Sequence, residues 1–194
     1  MTKKYLLLLL LCLAPFLAWH DRIAFELGYA WSRGEFHGWE LARNDGRAVY
    51  WWRHAAAAGH PRAQYLLGLN LSRGWGVTAN DTAAEYWFSR AAAQDYPPAC
   101  FHLAWMLHKG EGVTHDEARA QRLMTRAAEL GMSAAALALG RFHERGEGVA
   151  VNPALALHWY SRAVESSRRQ PDIYDNARLA EAARTARDRL GGSP

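Results

Sequence analysis

The chain has 194 residues, of which 50% are apolar, with a formal net charge of +4. The length allows one domain with a substantial core. The positive charge comes almost entirely from arginines scattered through the chain, whereas nucleic-acid binders concentrate basic residues on one face or tail, which argues against a nucleic-acid partner. Abundant alanine and sparse proline favour helix, so the composition predicts an all-α protein.

Residues 1–19 are predicted to be a targeting segment. Lys3 and Lys4 form a short positive region, and the apolar stretch Tyr5 to Leu13 that follows contains seven leucines. Pro15 and Ala18 then end the apolar run. A positive start, a short apolar core and a small residue near its end are typical of a signal peptide.

This segment could be a cleaved signal peptide, an uncleaved membrane anchor or a lipoprotein signal. Tyr5 to Trp19 is 15 residues, fewer than the roughly 20 that a membrane-spanning helix needs. We predict export with cleavage after Ala18, and an uncleaved N-terminal anchor is the alternative. A lipoprotein signal at Cys12 is disfavoured because Leu11 is not small. Each option places the domain outside the cytoplasm, periplasmic or secreted, with membrane association only through this segment.

A repeat dominates the rest of the chain. A basic residue followed by Gly-x-Gly-Val occurs at Arg73, Lys109 and Arg145, at intervals of 36 residues. A fixed period between about 20 and 50 residues is the signature of a solenoid. An irregular first copy, which begins near residue 20, has a longer central loop, Glu35 to Asp45, and lacks the Gly-x-Gly-Val motif.

Each copy is predicted to form two helices. Ala63, Leu67 and Leu71 recur at four-residue spacing on one stripe of the first helix. Small residues at one position of this stripe predict close helix approach: Gly68, Ala104 and Gly140. Gly74 is expected to end the first helix with a positive φ. Residues that can cap a helix N-terminus begin the second helix: Asn80, Asp116 and Asn152. In the second copy that helix is expected to bury Ala84, Trp87 and Ala91.

These patterns divide the chain into segments. The four copies are predicted at 20–58, 59–94, 95–130 and 131–166, and a C-terminal capping helix with a tail at 167–194. The capping helix is expected within 171–190, with a rough apolar stripe that would cover the open end of the stack. That stripe comprises Ile173, Ala177, Leu179, Ala180, Ala183 and Leu190.

Four elements of the repeated unit recur with a period of 36 residues: Ala-x-x-x-Leu-Gly, Gly-x-Gly-Val, an Asp or Asn, and Ala-Ala-x-x-Gly. With these elements, the repeated unit resembles Sel-like repeats, a branch of the tetratricopeptide superfamily. The resemblance implies an α/α right-handed superhelical solenoid of four helix-turn-helix repeats plus the C-terminal helix. It also implies a concave surface lined by the first helices and a scaffolding role, often at bacterial envelopes. Some cysteine-rich relatives bind or hydrolyse penicillins, but their paired cysteines are absent here, since the chain has only Cys12 and Cys100.

No motif for catalysis is present. His102 and His108 are six residues apart and fall on opposite faces of one helix, and no His-Glu-x-x-His occurs. Gly-x-Ser-x-Gly, Ser-x-x-Lys and a phosphate-binding Gly-Lys-Ser/Thr loop are also missing. We therefore predict a protein that is not an enzyme, with no catalytic, metal or cofactor-binding residues and no cofactor.

Aromatic residues give the main indication of function, because nine tryptophans are many for a chain of this length. Aromatic and arginine side chains contribute most of the binding energy at interfaces. The superfamily register places the following residues on the concave face: Arg22, Phe25, Tyr29, Arg62, Tyr65, Leu69, Phe101, Trp105, His108, Arg141 and Glu144. The competing interpretation is that many of them pack between adjacent repeats.

The predicted function is a non-enzymatic protein-interaction module or scaffold of the bacterial cell envelope, which binds a peptide or protein segment. Two alternatives remain open from the sequence. One is an inhibitor or immunity-type protein that occludes a partner enzyme with the same groove. The other, less favoured, is an envelope hydrolase of the penicillin-binding or β-lactamase-like repeat type.

Overall fold

The computed structural model describes residues 22–36, 39–40, 42–169 and 176–191. The predicted targeting segment and Ile173 lie outside these ranges. The described residues form nine helices: α1 (residues 22–33), α2 (Asp45–Ala57), α3 (Pro61–Arg73), α4 (Asp81–Ala92), α5 (Pro97–Lys109), α6 (Glu117–Glu129), α7 (Ser133–Arg145), α8 (Pro153–Arg169) and α9 (Asn176–Arg189). The long loop of the first copy holds an antiparallel hairpin, β1 (Glu35–Phe36) with β2 (Trp39–Glu40).

The chain divides into two compact units, one ending at Ala91 and the other beginning at Ala92. In the first unit α2 packs against α3. In the second, consecutive helices from α5 to α9 pack against each other, and α9 also contacts α7. The C-terminal helix therefore covers the last helix pair, as predicted. Among the described helices, none combines the length and the apolar character that crossing a bilayer requires.

The two helices of a repeat meet where a large side chain packs on a glycine. A Cβ added to Gly68 would lie 2.8 Å from the Phe88 ring, which is 1% exposed. The same arrangement joins Gly28 to Trp52 and Gly140 to Tyr160, where an added Cβ would be closer still to the ring. These glycines therefore set how closely the two helices approach, which confirms the prediction made for Gly68 and Gly140.

The third repeat makes the same contact with different residues. Ala104 replaces the glycine, and Met124 replaces the aromatic residue, 36 residues after Phe88 and 36 before Tyr160. Both side chains are buried in one core cluster. A methionine is flexible and narrower than an aromatic ring, so it accommodates the additional methyl group.

The buried aromatic position differs from the prediction by one residue. Ala84 and Ala91 are fully buried, as expected, but Trp87 is only half-buried and Phe88 takes its place in the core. Positions 84, 87 and 91 and positions 84, 88 and 91 are both consistent with a helical stripe. The structure selects position 88 because that side chain faces Gly68.

We expect Gly68→Ala to lower the free energy of unfolding by about 1–2 kcal/mol, because the gain in helix propensity is smaller than the cost of overpacking against Phe88. Adding Phe88→Met should recover most of this loss, since it reproduces the Ala104–Met124 pair. Urea unfolding of the single, double and unchanged proteins measures both effects. A Gly68→Ala protein as stable as the original would contradict the assignment.

The predicted turns and caps are confirmed. Gly74 has φ 70° and ends α3 in the left-handed conformation. The side chains of Asn80, Asp116 and Asn152 accept hydrogen bonds of 2.9–3.0 Å from backbone N–H groups three residues later. Asn44, in the irregular first copy, makes the same bond at 2.9 Å. The first copy thus keeps the helix start although it lacks the glycine loop.

The second glycine of the loop has a contact role that the sequence did not reveal. A Cβ on Gly76 would collide with the backbone of Asp45 and Gly46, at the start of the previous repeat's second helix. At Gly148 it would collide with the Glu117 side chain, at the start of α6. The loop therefore packs on the preceding repeat in both units.

In the second unit, the arginine near the end of the second helix bonds to a residue that precedes the first helix of the same pair. Arg126 donates to both carboxylate oxygens of Asp95, at 2.8 and 2.6 Å, and Arg162 donates to the Glu129 carbonyl at 3.2 Å. Asp95 has φ 57°, the left-handed conformation that Gly131 provides in the next copy. The ion pair with Arg126 holds an aspartate where two other repeats have glycine.

The Asp95–Arg126 pair predicts a pH dependence. The hydrogen bond from Arg126 lowers the pKa of Asp95 below its ordinary value of 3.8. A lowered folded pKa adds stability above pH 3.8 that is lost as the pH falls through the folded pKa. We therefore expect Arg126→Gln to lower the melting temperature slightly at neutral pH, because the pair is exposed, and to have no effect in strong acid. Thermal unfolding across this range tests it, and a difference that persists in strong acid would refute the ion-pair explanation.

The apolar stripe of α9 is shifted from the one predicted. Ala180 and Ala183 are buried, as expected, and so is Ala186, whereas Ala177 is exposed. Leu179 and Leu190 are half-buried. Ala177 lies at the first turn of the helix, outside the part that packs into the core cluster.

Candidate functional site

In the first unit, the predicted surface residues of α1 and α3 form a connected cluster. The Arg62 guanidinium lies 4.8 Å from the Tyr29 ring centroid and 5.4 Å from that of Phe25, and it donates a 2.7 Å hydrogen bond to the Tyr29 hydroxyl. Phe25 is only 6% exposed and stacks on His60 with centroids 4.4 Å apart. Phe25 therefore supports the surface, and Tyr29 and Arg62 form it.

The other first-unit candidates differ in exposure. Arg22 is exposed on α1, one turn before Phe25. Tyr65 is half-buried with its ring 5.9 Å from that of Phe88, so part of its surface is used within the repeat. Leu69 is half-buried as well. The contacts described above thus join Phe25, Tyr29 and Arg62.

In the second unit, the aromatic candidates of α5 form a continuous row. Phe101 and Trp105 have ring centroids 6.2 Å apart, and Trp105 and His108 are 5.6 Å apart. Phe142 on α7 contacts Trp105 at 5.6 Å and His108 at 5.0 Å. These candidates are half-buried, so each has one side in the repeat junction and another toward solvent. The packing between repeats is thus present, and the role of these residues in binding stays a prediction.

His108 is held by a polar chain. Its Nδ1 lies 2.7 Å from the Glu117 carboxylate, and Gln121 donates to Glu117 at 3.2 Å and to the Gly148 carbonyl at 2.5 Å. The chain runs from α5 through α6 to the loop of the last repeat. It fixes the orientation of the imidazole, which the sequence could not show because these residues are distant along the chain.

The last two candidates, Arg141 and Glu144, line a cleft of about 450 Å³ between α7, α8 and α9. Four arginines surround it: Arg141, Arg145, Arg178 and Arg189. Glu144, Glu181, Tyr160, Thr185, Ala182 and Ala186 complete the lining. This cleft combines two predicted residues with a helix outside the repeats.

A short hydrogen-bond network forms one wall of the cleft. The Tyr160 hydroxyl donates to Glu144 Oε2 at 2.5 Å, and Arg189 of α9 donates to the other carboxylate oxygen. Burial raises the pKa of Tyr160, and the hydrogen bond to Glu144 raises it further. Tyr160 therefore stays protonated and serves as a fixed donor that holds Glu144 in place.

We expect Tyr160→Phe to lower the free energy of unfolding by about 1–2 kcal/mol at neutral pH, because a partly buried bond to a charged acceptor is lost. A raised folded pKa gives stability that is complete below the unfolded value of 10.0 and declines as the pH rises above it. The difference should therefore shrink in alkaline solution. Urea unfolding at several pH values measures it, with Tyr50→Phe, at a side chain that is 57% exposed, as the matched control. Equal effects of the two substitutions would exclude the proposed network.

In the described part of the chain, neither the candidate metal ligands nor Cys100 forms a candidate reactive site. No group of three or more His, Cys, Asp or Glu side chains there could hold a metal ion. Cys100 is buried, and desolvation raises the pKa of its thiol. A buried thiol with a raised pKa behaves as a small apolar side chain.

A family model for the Sel1 repeat matches residues 24–60, 61–96, 97–132 and 133–167. The chain belongs to the Sel1-repeat family. Sel1 repeats typically mediate protein–protein interactions, and members of the family are generally not enzymes. The predicted family and fold are thus confirmed, and a protein partner is supported at this general level.

Solved structures agree with this assignment. A Sel1 repeat protein from Oxalobacter formigenes superposes with a TM-score of 0.68 at 24% identity, covering 86% of this chain and 73% of that one. The protein c5321, a protective antigen present in uropathogenic Escherichia coli strains, has an SLR fold and superposes with a TM-score of 0.69 at 28% identity. The match covers 86% of this chain and 38% of the c5321 chain. Among curated proteins, no significant sequence match was found.

The structure adds members to the predicted site of this Sel1-repeat protein. His60 and Phe142 complete the two aromatic groups, and Arg145, Arg178 and Arg189 complete the cleft. The 36-residue register did not indicate Phe142, because it relates Phe142 to Met106 and Asn70, which are not predicted site residues. Nothing in the repeat pattern indicates Arg178 or Arg189, because α9 is not a repeat helix.

Proposed function

We propose that this Sel1-repeat protein is an exported, non-enzymatic binding module of the bacterial cell envelope, which holds a peptide or protein segment on the exposed side of its first helices. The family supports the protein partner. The apolar segment that follows Lys3 and Lys4 supports export. The binding residues are those of the predicted face, with Phe25 as a buried support.

The observation that carries the proposal is the Tyr29–Arg62 pair, in which Arg62 is exposed and Tyr29 is half-buried. The guanidinium is fixed over the Tyr29 ring and bonded to its hydroxyl, and it remains exposed on α3. Tyrosine and arginine are enriched among residues that dominate binding energy. Because the two side chains already hold each other, little side-chain entropy remains to be lost when a partner binds.

The second unit offers a comparable surface at Trp105. Its indole packs against Phe142 and His108, and the Glu117 chain holds the imidazole. An aromatic side chain that is ordered on one side and accessible on the other suits the capture of an apolar residue of a partner.

The test is partner capture by a triple variant, Tyr29→Ala, Arg62→Ala and Trp105→Ala. We expect it to recover at least about tenfold less partner from envelope extracts than the unchanged protein, since each such residue contributes on the order of 1–2 kcal/mol. The matched control removes exposed aromatics of the second helices, Tyr50→Ala and Tyr86→Ala, which are 57% and 55% exposed.

Circular dichroism and thermal unfolding must show that both variants keep their helices, because Trp105 is half-buried. Undiminished capture by a folded triple variant would rule out this face. Mass spectrometry identifies what is captured: several assembly components agree with a scaffold, whereas one enzyme in stoichiometric amount would favour the inhibitor alternative. The intact mass of the exported protein shows whether cleavage occurs after Ala18.

A further inference from the structure

We propose that the cleft between α7, α8 and α9 binds carboxylate groups of an acidic segment of the partner. The inference rests on the proposed function, since it names the chemistry of the segment that the module would hold. It concerns a site distinct from the aromatic surfaces of Tyr29 and Trp105. The cleft includes the C-terminal helix, which is not a repeat helix.

The charge of the cleft carries the first step. Four arginines and two glutamates line it, so the wall has two more positive than negative side chains. Both glutamates are already engaged: Glu144 by Tyr160 and Arg189, and Glu181 by Arg184 at 3.4 Å. These pairs leave the guanidinium groups of Arg141 and Arg145 unpaired with the glutamates of the lining.

The accessibility of the arginines carries the second step. Arg141 is exposed, and within the described residues it makes no ion pair or hydrogen bond. Arg145 is paired only with Glu147, at 3.4 Å, and its side chain is 64% exposed. Exposed pairs of this kind are worth little, so an incoming carboxylate can replace Glu147 at small cost.

The size and shape of the cleft carry the third step. A volume of about 450 Å³ suits one or two side chains or a chain end rather than a folded domain. Ala182 and Ala186 leave room between the arginines, and the Tyr160 ring packed on Gly140 gives a rigid wall. Guanidinium groups bind carboxylates through two parallel hydrogen bonds, which gives geometric selectivity.

A carboxylate and a phosphate differ in charge at this cleft. A phosphate carries nearly twice the charge of a carboxylate at neutral pH, so the arginines attract it more and Glu144 and Glu181 repel it more. A surplus of two positive charges matches one or two carboxylates. Arg189 also remains committed to Glu144, which limits the number of donors that one phosphate could engage.

The test uses fluorescent peptides with the full-length exported protein. One peptide has three glutamates and blocked ends, a second has glutamines instead, and a third has glutamines with a free C-terminal carboxylate. We expect the first or the third to bind and the second not to, and the comparison shows which carboxylate the cleft prefers. Failure of both carboxylate peptides would overturn the proposal. Inorganic phosphate that displaces the bound peptide at lower concentration than acetate would also overturn it.

The variant Arg141→Gln with Arg178→Gln should weaken peptide binding at least about tenfold, because two charge-assisted contacts are lost. The matched control, Arg53→Gln with Arg168→Gln, changes net charge equally at exposed residues outside the cleft and should bind as the unchanged protein does. Equal weakening in both would indicate general charge attraction and refute the site. Thermal unfolding verifies that both variants are folded.

The envelope capture assay separates this inference from the proposed function. Capture that requires Tyr29, Arg62 and Trp105 but is unchanged in the Arg141→Gln, Arg178→Gln variant would refute the cleft and leave the proposed function intact. If the unchanged protein captures no protein at all, the proposed function fails, whatever the peptides do.

Discussion

The contact between a large side chain and a glycine in three of the four helix pairs determines much of this structure. Trp52, Phe88 and Tyr160 each pack on a glycine of the preceding helix, at a distance that leaves no space for a methyl group. Protein cores are packed so densely that one methyl group is felt. The contact therefore fixes how closely the helices approach, and it must recur at the same place in each copy. The spacing of 20 residues from Gly68 to Phe88 accordingly recurs from Gly140 to Tyr160.

A second constraint acts between consecutive copies. Gly76 and Gly148 lie against the start of the preceding second helix, and Arg162 reaches the carbonyl of Glu129 near the end of one. The glycine loop is therefore both the turn within a copy and the surface on which the previous copy rests. Residues at these packing positions cannot vary freely, so they can contribute little to binding a partner. The exposed positions of the first helices and of α9 retain that freedom.

The repeat pattern was sufficient to predict most of the backbone. Helix caps such as Asn80 and left-handed turns such as Gly74 depend on residues close in sequence, so a local pattern determines them. The buried aromatic was misplaced at Trp87, because two neighbouring positions fit the same helical stripe and only the facing Gly68 decides between them. The link from His108 to Glu117 and the cleft of Arg141 could not be predicted, because they join residues of different helices without a repeated spacing.

The last helix pair shows how a packing position can also support a polar network. Trp52, Phe88 and Tyr160 share one packing position, but only the tyrosine has a hydroxyl, and it donates to Glu144. Glu144 in turn accepts from Arg189, so the packed ring is connected to the charge of α9. A phenylalanine at this position would pack equally well on Gly140 and would leave Glu144 without that donor. The copies agree where they pack and differ where polar atoms reach the surface, and function is to be sought in these differences.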